Sequence, residues 1–218
     1  MALTNKLNAI GDAIRNKTGS TAKLTLDQMP TAINSITTGG GSTGGIDFAT
    51  YMNGKITTVT AEDLKGVTKI RERAFADSEL SSITFPSTVT TFSDYAFSNT
   101  KLSSVTLPSG LKFIGRGSFQ HCDSLNSIKI PKGVTYLPDY TFYDCSILQT
   151  IYIPKAVTSI NYRTLYATQL QDIYYEGSAE DWAAIEISTS NNEALYGLSG
   201  TLDSPGMFAP TFHYNTNY

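Results

Sequence analysis

The side chains able to do chemistry are few in this chain, and their spacing scatters them. Among 218 residues there are two histidines, His121 and His213, and two cysteines, Cys122 and Cys145. A zinc site needs several converging His, Cys or carboxylate ligands, and a nucleophilic triad needs a histidine between nucleophile and acid. Histidines this few and this far apart assemble neither. No catalytic residue, metal ligand or cofactor is expected, and the chain does not read as an enzyme. His121 is expected in a loop on the convex side of the fold and His213 in a terminal strand. The one glycine-rich candidate for a phosphate loop, GRGSF at Gly115 to Phe119, lacks the lysine and the long helix that must follow, so it reads as a tight turn. Two cysteines do not make a disulfide framework. They fall in a column of small residues, Ser78, Thr100, Cys122, Cys145 and Thr168. A column that also accepts Ser and Thr is expected to hold free, buried thiols that satisfy loop backbone.

The tyrosines offer recognition rather than reaction. Eight of thirteen lie between Tyr136 and Tyr175, so one half of the molecule is aromatic. Tyr carries a large apolar ring and a polar tip, which suits it to binding surfaces. It is also a good strand former whose ring shields a sheet. Which reading applies depends on where the backbone places each ring.

That backbone is periodic. Phe75, Phe97, Phe119, Phe142 and Leu165 recur every 22 or 23 residues, and Pro86, Pro108, Pro131 and Pro154 keep the same period. So do Leu80, Leu102, Leu125, Leu148 and Leu170. The units read LSSITFP, LSSVTLP, LNSIKIP, LQTIYIP and LQDIYYE, and between them lie VTTFSDYAF, LKFIGRGSF, VTYLPDYTF and VTSINYRTL. Repetition at this period marks a solenoid. Ile83 and Phe85 alternate with Ser82 and Thr84, the period of a half-buried strand. The equivalent inward pairs are Val105 and Leu107, Ile128 and Ile130, Ile151 and Ile153, and Ile173 and Tyr175. Proline ends each strand by removing a donor. A second apolar pair follows, such as Val89 and Phe92 or Val134 and Leu137. The outward positions are then Thr84, Thr106, Lys129, Tyr152 and Tyr174, beside Ser82, Ser104, Ser127, Thr150 and Asp172. We take Lys129, Thr150, Tyr152, Asp172 and Tyr174 as the candidate ligand-binding face. Tyr143 and Tyr166 form another column on a different side of the coil.

One rung cannot bury its own apolar face, so rungs must stack and the ends must be capped. The reading is therefore α/β, mainly β: a right-handed solenoid of about five rungs over 67–177, with caps at 46–66 and 178–218. Ahead of it, 37–45 reads TTGGGSTGG, a flexible linker. Residues 1–36 read as a small helical module. Leu3, Leu7, Ile10 and Ile14 sit at helical spacing and form the candidate attachment face, which permits self-association. A module of this size has too few residues for an independent core and must dock on something.

The repeat columns resemble the BspA-like leucine-rich repeats of bacterial surface and bacteriophage proteins, from about Val67 to Gly177. The tail, EGSAEDWAAIEI, then NNEAL, then TFHYN, is similar to the closing unit of such proteins, in which Trp182 would fold back over the last rung. Residues LTNKLNAIGDAIRNKTGSTAKLTLDQMPTAINSI are similar to a short leader of phage and prophage structural proteins. These resemblances imply a non-catalytic recognition protein of a phage or prophage tail, with a host cell-surface glycan or protein and other tail or baseplate proteins as partners. The alternatives are a bacterial surface adhesin that binds host matrix protein and a structural spacer without a ligand. The net charge of −3 argues against nucleic acid as a partner, which would need a basic stripe. No run of about 18 apolar residues is present, so membrane insertion is not expected. The start of the chain lacks the apolar run of a signal peptide; the expected location is the virion, with the bacterial surface as the alternative.

Overall fold

The computed structural model describes residues 56–188, 192, 195 and 209–217. The helical module of 1–36, its face of Leu3, Leu7, Ile10 and Ile14, and the linker at 37–45 lie outside the described residues.

The described chain is a parallel solenoid, mainly β, and each turn has three sides. The first side carries the LxxIxI strands. Here β1 (Thr58–Val59) pairs with β3 (Ser82–Ile83), and β5 (Ser127–Lys129), β7 (Thr150–Ile153) and β9 (Asp172–Tyr175) follow one another, closed by β11 (Thr211–His213). The second side pairs β2 (Lys69–Ile70) with β4 (Thr91–Phe92), which bridges to Phe113; further on, β6 (Tyr136–Leu137), β8 (Ser159–Ile160) and β10 (Glu186–Ile187) line up in order. All these pairings are parallel. Stacking begins earlier than the phenylalanine column does, because β1 already lies in register with β3. The turns therefore number about six rather than five.

The third side is a stack of tight turns. Its ladder runs between turns: Phe75 N–H donates to Ala96 O at 2.9 Å, Phe97 to Ser118 at 2.8 Å, Phe119 to Thr141 at 2.9 Å and Phe142 to Thr164 at 2.9 Å. Each turn has two left-handed residues four apart, as at Arg73 and Asp77 or Tyr140 and Asp144. Only one of these places is glycine, Gly117 at φ 58°, and it lies within the GRGSF turn. Gly115 is needed for a different reason: an added Cβ would sit 2.3 Å from the Ser93 carbonyl carbon and 2.4 Å from Asp94 N. The motif is a close approach between turns.

The inward columns form one core. Phe75, Phe97, Phe119 and Phe142 are buried and stack face to face at 5.4, 5.3 and 5.7 Å, which explains why an aromatic recurs there. The first-side strand is missing at one rung: Val105 is half-buried and Leu107 buried, yet residues 101–107 form no strand. Alternation reports which residues face inward. Ladder bonding is a narrower condition, and here Ser103 O receives only the Asn126 N–H, at 3.3 Å.

The thiols are free and buried. Ser78, Thr100 and Thr168 donate to the carbonyl three residues back, at 2.6, 3.0 and 2.8 Å. Cys122 and Cys145 donate instead to Phe97 O and Phe119 O of the preceding turn, at 3.1 and 3.0 Å. Burial pushes the Cys122 thiol up to about 11 and raises Cys145 well above the usual thiol range. Both are structural groups, not nucleophiles.

The C-terminal end is closed by residues outside the repeat. Ser178 begins α1 (Ala179–Ala183) through a capping box with Asp181, which satisfies two otherwise orphan N–H groups. Trp182 packs edge-on against Tyr175 at 5.2 Å and Phe212 at 5.0 Å, folding over the last rung as the tail motif implies. Lys155 pairs with Asp181 at 2.8 Å, and Lys132 pairs with Glu176. Where Leu165 N–H would meet the next turn's carbonyl, it donates to Asn192 Oδ1 at 3.1 Å. Asn192 is fully buried, and its Nδ2 donates to Asn161 O at 2.7 Å and Ser188 O at 2.9 Å. One carboxamide thus accepts the bond that a backbone carbonyl accepts in the earlier turns.

Candidate recognition surface

Strand register assembles the candidate face. Ser127, Thr150, Asp172 and Thr211 form one outward row, and Lys129, Tyr152, Tyr174 and His213 the next. All five residues singled out from the sequence, Lys129, Thr150, Tyr152, Asp172 and Tyr174, therefore share one side of the β5–β7–β9–β11 sheet. Their neighbours Ile128, Ile151 and Ile173 point the other way and are buried, as period-2 alternation requires.

The rings in the second row form a ladder. Tyr152 and Tyr174 stack at 4.6 Å with 14° between planes, and Tyr174 and His213 at 4.3 Å with 9°. His213 Nε2 donates to Asp172 Oδ1 at 2.7 Å, which ties the third ring to the neighbouring row. Both faces of Tyr174 are thus covered by its neighbours. A sugar laid flat on that ring is not on offer; the ladder presents ring edges and hydroxyls, with the Asp172 carboxylate alongside. The amides of Asn126 and Gln149, 3.3 Å apart, flank the same rows.

His213 is the residue that column reasoning did not bring to this face. It lies 41 residues from Asp172 in a segment without the repeat, so no periodicity could assign its register. His121, the other histidine, is in the turn stack at φ 57°, where its Nδ1 lies 3.2 Å from Asp144 Oδ2. Among the described residues, no group of three or more His, Cys, Asp or Glu is arranged to hold a metal ion, and no helix is long and apolar enough to cross a membrane.

The turn side carries its own aromatic group. Tyr143 and Tyr166 stack at 5.3 Å, Tyr140 meets Tyr143 and Tyr162 at 5.4 Å each, and His121 meets Tyr143 edge-on at 5.6 Å. Arg116 lies over Tyr140 at 4.9 Å, and Arg163 lies 5.1 Å from the Tyr162 ring and 5.2 Å from that of Tyr166.

A stacked parallel solenoid of 22–23-residue turns with an ordered outward face defines a leucine-rich-repeat scaffold. Residues 46–187 match the BspA type leucine rich repeat region in six copies, and the chain belongs to that family. Its structure is similar to that of a leucine rich cell surface protein of Faecalibacterium prausnitzii, at 31% identity and TM-score 0.58, over 62% of this chain and 36% of that one. Leucine-rich repeat proteins of Eubacterium ventriosum (22% identity, TM-score 0.48, 55% of this chain and 35% of that one) and Bacteroides ovatus (21%, 0.36, 55% and 43%) are also similar. The matched regions span between about a third and two fifths of those proteins' length. No curated protein matches the sequence.

Proposed function

We propose that this chain is an adhesin-type recognition module, displayed at a bacterial surface, that binds a protein partner through the outward face of β5, β7, β9 and β11. The observation that carries the reading is the Tyr152–Tyr174–His213 ladder with Asp172 bonded to its end ring. Stacking fixes the rings in place, so little side-chain entropy is lost on binding. Tyrosine edges and hydroxyls beside a carboxylate suit the mixed apolar and polar contacts of a protein interface. Surface display is supported by the description of the Faecalibacterium prausnitzii protein. A tail-borne version of the same role rests on the resemblance of residues 1–36 alone, and the family match begins beyond them, at 46.

The test is binding of the full chain to arrays of immobilised host matrix proteins and of glycans, compared with Tyr152→Ala/Tyr174→Ala. The expected result is saturable binding to a protein, weakened about tenfold or more in the double variant, as for a hot-spot pair. Equal binding by both chains would overturn the choice of face. Binding confined to glycans would overturn the choice of partner.

A further inference from the structure

The turn side holds arginines whose charge the described chain does not answer, two of them in its aromatic half. Arg116 and Arg163 rest on tyrosine rings, and neither guanidinium takes part in any hydrogen bond or ion pair among the described residues. Arg163 Nε is shielded from solvent and still has no acceptor, a costly state for a charged donor. One oxygen of each of three carboxylates in these turns is bonded to another group. Asp94 Oδ1 accepts the Arg116 backbone N–H at 2.9 Å, Asp139 Oδ1 accepts the Tyr162 N–H at 3.2 Å, and Asp144 pairs with His121 at 3.2 Å.

The local backbone makes these side chains more telling. Tyr140 and Arg163 sit at φ 60° and 52°, and the equivalent place one turn before Tyr140 is Gly117. A left-handed conformation is unfavourable for a residue with a Cβ, so glycine would serve the turn better. Large side chains persist there, on the part of the turn side where tyrosines are densest.

We propose that this turn-side cluster is a second interaction surface, distinct from the strand face, that takes an acidic protein segment. Carboxylates of the partner would bond to the guanidinium fork of Arg116 and to the Nη1/Nη2 edge of Arg163, which match a carboxylate in planar, two-point geometry. Tyr140, Tyr143, Tyr162 and Tyr166 would supply the surrounding apolar contact; Tyr and Arg are the residue types that dominate protein hot spots. The stacking that fixes the arginines on the rings orders them before a partner arrives.

The experiment uses the full, isotope-labelled chain titrated with a hexaglutamate peptide and followed by amide chemical shifts. The expected result is saturable shifts centred on 116–121, 139–144 and 162–167, with binding weakened about tenfold in Arg116→Gln/Arg163→Gln. Arg163→Lys keeps the charge but not the fork, and should recover only part of the loss. Tyr152→Ala/Tyr174→Ala should bind the peptide normally, which separates this surface from the strand face. No saturable shift, shifts elsewhere, full recovery by lysine, or tighter binding of a sulfated oligosaccharide than of the peptide would each overturn the proposal. Unchanged amide spectra of the unbound variants away from the substitutions confirm that they are folded.

Discussion

Replacing Asn192 by alanine should unfasten the C-terminal end of the solenoid. The turn-side ladder is repeated by backbone alone through Phe142, and then Leu165 N–H turns to the Asn192 side chain at 3.1 Å. In Asn192→Ala that N–H stays buried with no acceptor, at a cost of about 1–3 kcal/mol. The two bonds from Nδ2 to Asn161 O and Ser188 O contribute roughly 0.5–1.5 kcal/mol each. Asn161 O keeps the Thr164 hydroxyl at 2.9 Å, so the total should fall near the lower half of the sum, about 2–4 kcal/mol. In a repeat array each turn is held by its neighbours, so the loss should stay near the end. Native-state hydrogen exchange reads this directly: the Leu165 amide should exchange roughly 30- to 1,000-fold faster, at about 1.4 kcal/mol per factor of ten, while the Phe119 amide changes little. Asn192→Asp adds a sign. Its carboxylate would keep the Leu165 bond but face two carbonyls, so it should destabilise more at pH 7 than at pH 4, where a protonated carboxyl can donate to one of them. A Leu165 amide that remains as protected as that of Phe119 in Asn192→Ala would refute the view that this side chain takes the place of a backbone carbonyl.

Other outcomes follow from the same geometry. Gly115→Val should lower stability by at least the ~1–3 kcal/mol typical of overpacking, because its Cβ would meet the Ser93 and Asp94 backbone; a denaturant midpoint equal to that of the parent chain would contradict the close approach. With burial holding Cys122 near 11, only about one thiol in a thousand is ionised at pH 8. A thiol-reactive chromophore should therefore label neither cysteine until denaturant unfolds the chain, and prompt labelling of the native protein would count against their burial. Hydrogen bonds from Lys132 and Lys155 hold the Glu176 and Asp181 carboxyls below their ordinary values. Their contribution is complete above the unfolded values, near pH 4.5 and 3.8, and is lost as pH falls through the lower folded ones. Emission from Trp182, the only tryptophan, should report loosening of α1 on acidification, and Lys155→Met should flatten that response.

How much of this was legible beforehand can be judged residue by residue. The period placed Phe75, Phe97, Phe119 and Phe142 in one core column, and alternation put Lys129, Tyr152 and Tyr174 in one outward row; the stacked rings and strand register agree with both. Period counting fell short at the first turn, where β1 pairs with β3 although its segment lacks the phenylalanine. It also placed a strand at Val105 and Leu107 that burial supports and ladder bonding does not. Tyr174 read only as an outward ring on the candidate face, because spacing gives a side chain's direction but not what covers its faces.

What the sequence determined by itself is everything that repeats: a side chain whose environment recurs every turn leaves a column, and a column can be read without coordinates. What only the tertiary structure decided is everything that happens once. His213 joins the tyrosine ladder, and Asn192 completes the turn-side ladder 27 residues beyond Leu165. Neither residue lies in a segment that carries the repeat's sequence columns, so no period points to it. Their roles come from long-range closure of the chain end, where buried donors and exposed ring faces take whatever partner the cap brings.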